Sequence, residues 1–525
     1  MLTISILLLA IPLAVVQAAP TVNLGLAQYQ GAVDAATNIT SFLGIRYAAP
    51  PLGDLRFRAP APPLNTSGVQ LATVQPNQCL QSGFGQSSTN PLKPRAASVV
   101  PSEDCLFLNV YYPSDAVGTP PKGLPTLVWI HGGGYALGGA SSYNGEDIIA
   151  QSNRGVVVVV IQYRLGLFGF LAGAEVKENG ALNAGLLDQD FALRFVNQHI
   201  TQFGGDPEKV TIWGESAGAG SVLQHVLANG GRTVPQLFRG AITSSTFLPP
   251  QYEFDDPIIE FLFSEVVSQA NCSSAANALT CLRSADTTLL STVNANINSA
   301  GFFGTFSTVP VIDGEFIVQR PTLSLLEGCV NGQALLSITN TFEGTIFVNQ
   351  TTGLTAAEYS LALFPKFTQT QANIVSQLYA GLGTDVFQVN AIQSESIFVC
   401  PTYYMQHAFF GRSFKGEFAI PPGLHGSDVA YYFPSAGGLP PFNNTQFIDA
   451  FAQSFTSFII NHDPNIKVSN TITPQWNKFV AGNTEMLFNQ TAAMPPQPDV
   501  RPIKTDNALL QRCQFWHSVG HLTGQ

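Results

Sequence analysis

The segment Val210-Thr-Ile-Trp-Gly-Glu-Ser-Ala-Gly-Ala-Gly220 constrains this chain more than any other. A short run of β-forming residues leads into Gly214-x-Ser216-x-Gly218, and small residues suited to close helix packing follow. A serine on so sharp a strand-to-helix turn must adopt a strained backbone, which holds its hydroxyl clear of the sheet. Glycines two residues to either side remove side chains that would collide in the turn. The helix that begins after Ser216 aims backbone N–H groups at developing negative charge. The bare pattern arises by chance; its setting between strand and helix makes Ser216 a candidate nucleophile.

The surrounding sequence supplies the sheet. Thr126 to His131, Val156 to Ile161, Gly240 to Thr243 and Ala334 to Thr339 read as short buried strands. Leu186 to Gln198 carries apolar residues at helical spacing. Strands alternating with helical stretches predict an α/β fold: a large, mostly parallel central sheet with helices on both faces. Chemistry then collects on loops at the carboxyl ends of strands. Residues 250–330 and 350–415, richer in helix-like patterns and Phe, are expected to form insertions that build a substrate gorge. The Pro-, Asn- and Thr-rich stretch from about 435 to 500 predicts little.

At 525 residues the chain is long for one domain, yet it has no charge block, no Gly/Ser linker and no fixed repeat. A single catalytic domain over 20–525 is expected, preceded by a signal peptide at 1–18 with cleavage near Ala18 to Pro20. Leu2 to Val16 is apolar but short for a membrane span, so a secreted, extracellular protein without a membrane anchor is expected. Asn38, Asn65, Asn271, Asn349, Asn443 and Asn489 each open an Asn-x-Ser/Thr sequon and are candidate glycosylation sites. Seven cysteines, an odd number, leave at least one thiol without an intramolecular partner. The net charge of −11 and the lack of a basic run exclude a nucleic-acid partner. No Cys/His spacing suggests a metal, and no cofactor is expected.

Ester chemistry passes through a tetrahedral oxyanion, and the run His131-Gly-Gly-Gly-Tyr135 directly after a strand suits that need. Gly133 and Gly134 are candidate N–H donors, joined by the N–H of Ala217. No Lys-Ser/Thr follows, so a phosphate loop is a poor reading. A triad in the order Ser, acid, His then requires a carboxylate past a later strand. Glu343, in Thr341-Phe-Glu-Gly344, is the candidate acid, with Asp428 as runner-up. Of the histidines that follow Glu343, His425 lies in the short loop Gly423-Leu-His-Gly-Ser-Asp428 and is the candidate base. His407, His462, His517 and His521 read as packed or surface residues.

With these pieces in place, the chain resembles the type-B carboxylesterase/lipase family, the cholinesterase-like branch of the α/β-hydrolases. Phe203 to Gly218 matches the family's nucleophile signature, and Glu103-Asp-Cys-Leu-Phe-Leu-Asn-Val-Tyr-Tyr-Pro113 its upstream one. Phe42-Leu-Gly-Ile-Arg-Tyr47, Pro51 to Phe57 and Asn183 to Asp190 extend the likeness over nearly the whole chain. The resemblance implies a Ser-His-Glu triad, an acyl-enzyme and no cofactor. It also implies the disulfides Cys79–Cys105, Cys272–Cys281 and Cys400–Cys513, which leaves Cys329 as a free thiol. An Arg56–Glu103 ion pair and a lid loop over 79–105 follow from the same likeness.

Two departures matter. The 79–105 loop holds no Trp, which speaks against choline esters, and Phe195 replaces the family's usual Trp as a packing substitution. A Pro-, Ser- and Gly-rich lid favours a broad carboxylesterase acting on soluble or moderately apolar esters. The 37 Phe residues keep open a lipase or sterol esterase with a long acyl tunnel, although core packing explains most of a Phe excess. The expected partner is thus a small-molecule or lipid ester. A catalytically silent binding or adhesion protein is disfavoured, because Ser216, Glu343 and His425 are all retained.

Overall fold

Val157–Ile161 lies parallel to Leu124–Ile130, and Gly205–Glu215 lies parallel to the same strand on its other side. These three strands centre a sheet in the computed structural model, which describes residues 19–85, 101–479 and 482–525. The sheet has eleven strands. In chain order they are β1 (Ala32–Asp34), β2 (Ile39–Arg46), β3 (Phe107–Pro113), β4 (Leu124–Ile130), β5 (Val157–Ile161) and β6 (Gly205–Glu215). Then follow β7 (Gly240–Ser244), β8 (Ala334–Asn340), β9 (Ser413–Phe418), β10 (Thr484–Gln490) and β11 (Pro498–Lys504). Across the sheet the order is β11-β10-β9-β8-β7-β6-β4-β5-β3-β2-β1. Every neighbouring pair from β10 to β5 is parallel, and the antiparallel pairs sit at the two edges. The α/β-hydrolase architecture expected from the sequence is therefore present.

The order reverses around β4. The chain leaves β4 to form β5 on one side and returns to form β6 on the other, so the loops that follow β4 and β6 lie side by side. Such a switch point is where ligands bind in open parallel sheets. The glycine run after β4 and the serine turn after β6 meet there.

Seven helices matter for the site and its support: α1 (Gly145–Gln151), α2 (Ala184–His199), α3 (Ala217–Gly231), α4 (Asp385–Ser394), α5 (Cys400–Ala408), α6 (Thr445–Asn461) and α7 (Asn507–Ser518). Alternation along each strand sorts the core into two layers. Val157, Val159 and Ile161 pack with Leu186, Leu193, Val222 and Val226 of α2 and α3. Val158, Val160, Trp129 and Trp213 face the other way, onto α6. That helix starts where Asn444 accepts a bond from Phe447 N–H and ends where His462 turns left-handed at φ 55. Between these stops it presents Phe447, Phe451, Phe455 and Phe458 at helical spacing, and Phe455 stacks on Trp213 at 4.8 Å and 2°. Burial of each such ring contributes about 2–3 kcal/mol. Much of the Phe excess is therefore core, and the stretch that predicts little in sequence holds α6, β10 and β11.

The insertions are helical, as their composition suggests, with Pro257–Gln269, Ala278–Ser284 and Thr287–Ser299 forming a third packed layer. Arg56 and Glu103 form a buried two-bond pair, and Arg56 also donates to the carbonyls of Leu282, Arg283 and Ala285, tying this layer down. Disulfides join Cys79 to Cys105, Cys272 to Cys281 and Cys400 to Cys513, while Cys329 is a free, half-buried thiol. Phe195 packs against His199 beside the core. Asn65, Asn271 and Asn443 are exposed, and Asn38, Asn349 and Asn489 are half-buried. The expected signal peptide at 1–18 and residues 86–100 of the lid loop lie outside the described residues. Among the described residues, no helix is long and apolar enough to cross a membrane.

Candidate active site

Ser216 sits between β6 and α3 with φ 57 and ψ −124, a conformation that L-residues avoid. Its N–H donates to the carbonyl of Ser244 at the end of β7 (2.9 Å), which pins the turn to the sheet. The flanking glycines are dictated by contact. A methyl on Gly214 would stand 2.3 Å from the Gly218 carbonyl carbon, and one on Gly218 would stand 2.0 Å from the Ile130 carbonyl oxygen.

The glycine run presses against this turn. A methyl on Gly132 would lie 2.5 Å from the Glu215 carbonyl oxygen and 3.0 Å from Ser216 Cβ. Gly133 and Gly134 take φ values of 105 and 63, which only glycine adopts without strain. Among the described residues, the N–H groups of Gly133, Gly134 and Ala217 have no hydrogen-bond acceptor. Three such unpaired donors flanking the Ser216 turn are the kind of group that can hold a negatively charged oxygen.

Glu343 follows β8 and is fully buried. Its Oε2 lies 2.6 Å from His425 Nδ1, and its Oε1 accepts from Ser245 Oγ and from the Asn340 N–H, both at 2.6 Å. Both oxygens of this carboxylate thus accept hydrogen bonds. With Nδ1–H donated to Glu343, the neutral ring carries its lone pair on Nε2. That nitrogen has no hydrogen-bond partner among the described residues. The imidazole packs against Phe347 (5.0 Å between centroids, T-shaped) and Phe398 (4.6 Å, tilted). Asp428, the runner-up acid, accepts from Asn340 Nδ2 (3.0 Å) and Tyr432 Oη (2.8 Å) rather than from the imidazole.

The sequence reading passed over Glu215, although it stands inside the central motif. Its Oε1 is 3.3 Å from His425 Nε2. Burial pushes its carboxyl up to about 7, with Asp428 and Glu343 adding to the shift and His425 opposing it. Burial pulls the His425 imidazole down, but Glu215, Glu343 and Asp428 outweigh it and leave the ring above its ordinary value. Ser245 and Asn340 were also missed, because their part depends on where β7 and β8 end. Of the other histidines that follow Glu343, His407 meets Phe479 and His517 meets Tyr404.

In front of the site is an aromatic wall of Phe84, Phe247, Phe306, Phe347 and Phe398, with neighbouring rings 5.2–6.5 Å apart. Beyond Phe247 and Phe306 lies an apolar cavity of about 250 Å³ lined by Tyr252, Ile259, Leu262 and Val309. Among the described residues, no three His, Cys, Asp or Glu side chains group as metal ligands.

Comparison with known proteins adds the family context. The carboxylesterase family matches residues 18–516. The chain is similar to Secreted lipase 1 of Botryotinia fuckeliana (strain B05.10), with 37% identity over 357 residues, 64% of this chain and 62% of that protein. That match therefore spans less than two thirds of the relative's length. Lipase 4 of Diutina rugosa is 30% identical over 90% of this chain and 93% of its own. Among solved structures, the crystal structure of Aspergillus niger EstA superposes with a TM-score of 0.84 at 31% identity, covering 97% of this chain and 99% of that one.

Proposed function

This chain belongs to the carboxylesterase family of serine ester hydrolases, and from that premise we propose that Ser216, His425 and Glu343 are its catalytic triad. His425 Nε2 takes the Ser216 proton as the hydroxyl oxygen attacks the acyl carbon. Gly133, Gly134 and Ala217 N–H groups hold the oxyanion, and loss of one such donor typically costs ~3–4 kcal/mol. The imidazolium then protonates the departing alcohol, leaving an acyl-enzyme. Water repeats the sequence and frees the acid. Glu343 keeps the ring oriented and stabilises the imidazolium without taking its proton. The contact that carries this reading is the 2.6 Å Glu343–His425 bond, because it fixes the tautomer that a base must have.

We read the substrate as a moderately apolar carboxylic ester, and the protein as a secreted enzyme with one catalytic domain over 20–525. The aromatic wall and the apolar cavity behind it suit an acyl group. A second reading, a lipase or sterol esterase for long acyl chains, draws support from the names of the two fungal relatives.

An organophosphate that labels the wild type but not Ser216→Ala tests the triad, and a wild type that resists labelling overturns it. Hydrolysis of esters with acyl chains from two to eighteen carbons, with and without an oil interface, separates the two substrates. A rate jump at the interface favours the lipase.

A further inference from the structure

One edge of the His425 imidazole is fixed by Glu343, but a single bond leaves a ring free to swing about it. The ring also packs against Phe398, at 4.6 Å between centroids and 47° between planes, and Phe398 is fully buried and packs on Phe347 and Phe247. Phe398 lies in a π-helical turn, Glu395–Val399, inserted between α4 and α5. One added residue rotates every later side chain by roughly 100° about the helix axis, and such turns concentrate at functional sites. A wide turn of this kind packs poorly by itself, so its neighbours must hold it.

Those neighbours are specific. Glu395, the first residue of the turn, takes two bonds from Arg512 (2.7 Å each) and one from Tyr379 Oη (2.6 Å). Cys400, just past its end, is bonded to Cys513. The two ends of the turn are therefore clamped by consecutive residues of α7. Between them, the Ser396 carbonyl accepts from Gln525 Nε2 (2.7 Å) and the Ile397 carbonyl from Leu248 N–H (2.9 Å). All five residues of the turn are buried.

We propose that Phe398 is a positioning residue for His425, and that α7 holds it in register through the Glu395–Arg512 pair. This rests on His425 being the base. Glu343 sets which nitrogen keeps its lone pair; Phe398 limits how far the ring can swing about that bond. A misplacement of about 1 Å in a reacting group costs on the order of a hundredfold in rate.

Phe398→Leu removes the ring that packs on the imidazole but stays apolar, and Arg512→Met releases the clamp at a distance from the site. Each is compared with wild type for thermal stability, for kcat and KM on a soluble ester after active-site titration, and for the low-field proton signal of His425 Nδ1–H. Phe398→Leu is expected to lose roughly 10–100-fold in kcat with KM within about threefold, and to broaden or lose the low-field signal. Arg512→Met is expected to lose roughly 3–10-fold in kcat in the same sense. Full kcat in folded Phe398→Leu overturns the proposal. So does a fall in Arg512→Met stability with kcat and the proton signal unchanged, which would make the clamp merely structural. If Phe398→Leu does not fold, Arg512→Met alone decides. A wild type that resists titration, or His425→Ala that keeps full activity, instead removes the base assignment on which the proposal stands.

Discussion

Glu215 Oε1 and Glu343 Oε2 stand on opposite edges of the His425 imidazole, at 3.3 Å from Nε2 and 2.6 Å from Nδ1. The ring proposed as the base thus stands between two carboxylates, in the field of a third, Asp428. Only the neutral ring can take the Ser216 proton, so charges that raise the imidazole move the acid limb of the rate profile upward.

Glu215→Gln removes one of those charges. The acid limb of kcat/KM is expected to shift to lower pH, by up to about one unit. Glu215 is itself pushed up to about 7 by burial, so the two groups titrate together and the shift belongs to the pair. A pH–rate profile checks this; a limb that stays in place or moves upward refutes it.

Ser216→Gly and Ser216→Ala should differ in stability while sharing inactivity. Both are expected to lose on the order of a millionfold in kcat. Glycine accepts φ 57 and ψ −124 without strain, so Ser216→Gly should be about 1 kcal/mol more stable than Ser216→Ala. Denaturant unfolding of the two variants decides it.

Gly134→Ala places a methyl 2.0 Å from Phe306 Cε1, at a backbone φ of 63. We expect a loss of stability and a fall of about 10²–10³ in kcat. Adding Phe306→Ala makes room and should recover part of the lost stability but not kcat, because the alanine still strains the backbone that carries the Gly134 N–H. Recovery of kcat in the double variant would assign the loss to the ring.

Lys415 and Glu485 form a buried pair at 2.8 Å. Glu485→Gln strands the ammonium and should cost about 3–5 kcal/mol at pH 7. Burial pushes the Glu485 carboxyl up, but Lys415, Thr505 and Tyr403 outweigh it and hold it below the usual range. A carboxyl lowered by folding stabilises above its unfolded value, about 4.3, and that contribution fades as pH falls through the folded value. The gap between wild type and variant should therefore be full at pH 7 and narrow below about pH 4. A gap that widens on acidification contradicts the assignment.

What the sequence discloses follows from which residues carry their own conformational demands. Gly133, Gly134 and Ser216 announce a backbone that other residues resist, so the turn and the cradle are legible from residue type and spacing. Glu343 and His425 are legible as positions after strands, but their contact depends on the register of β8 and β9. Glu215 looks like any motif residue until burial is known. The π-helical turn at Glu395–Val399 has no compositional mark, since its partners Arg512 and Gln525 are more than a hundred residues away. Strand β11 is equally hidden, because Pro498, Pro502 and exposed charged residues give it none of the usual strand pattern.

The order of the strands along the chain also sets when the chemistry becomes possible. Ser216, Glu343 and His425 follow β6, β8 and β9, with 82 residues separating the last two. A ribosome therefore completes the nucleophile and its glycine cradle long before the imidazole has been translated. Under the proposed assignment, the unfinished chain cannot hydrolyse the lipids and esters around it during synthesis. Activity then cannot begin before β9 docks beside β8, which makes turnover itself a signal that the centre of the sheet has formed.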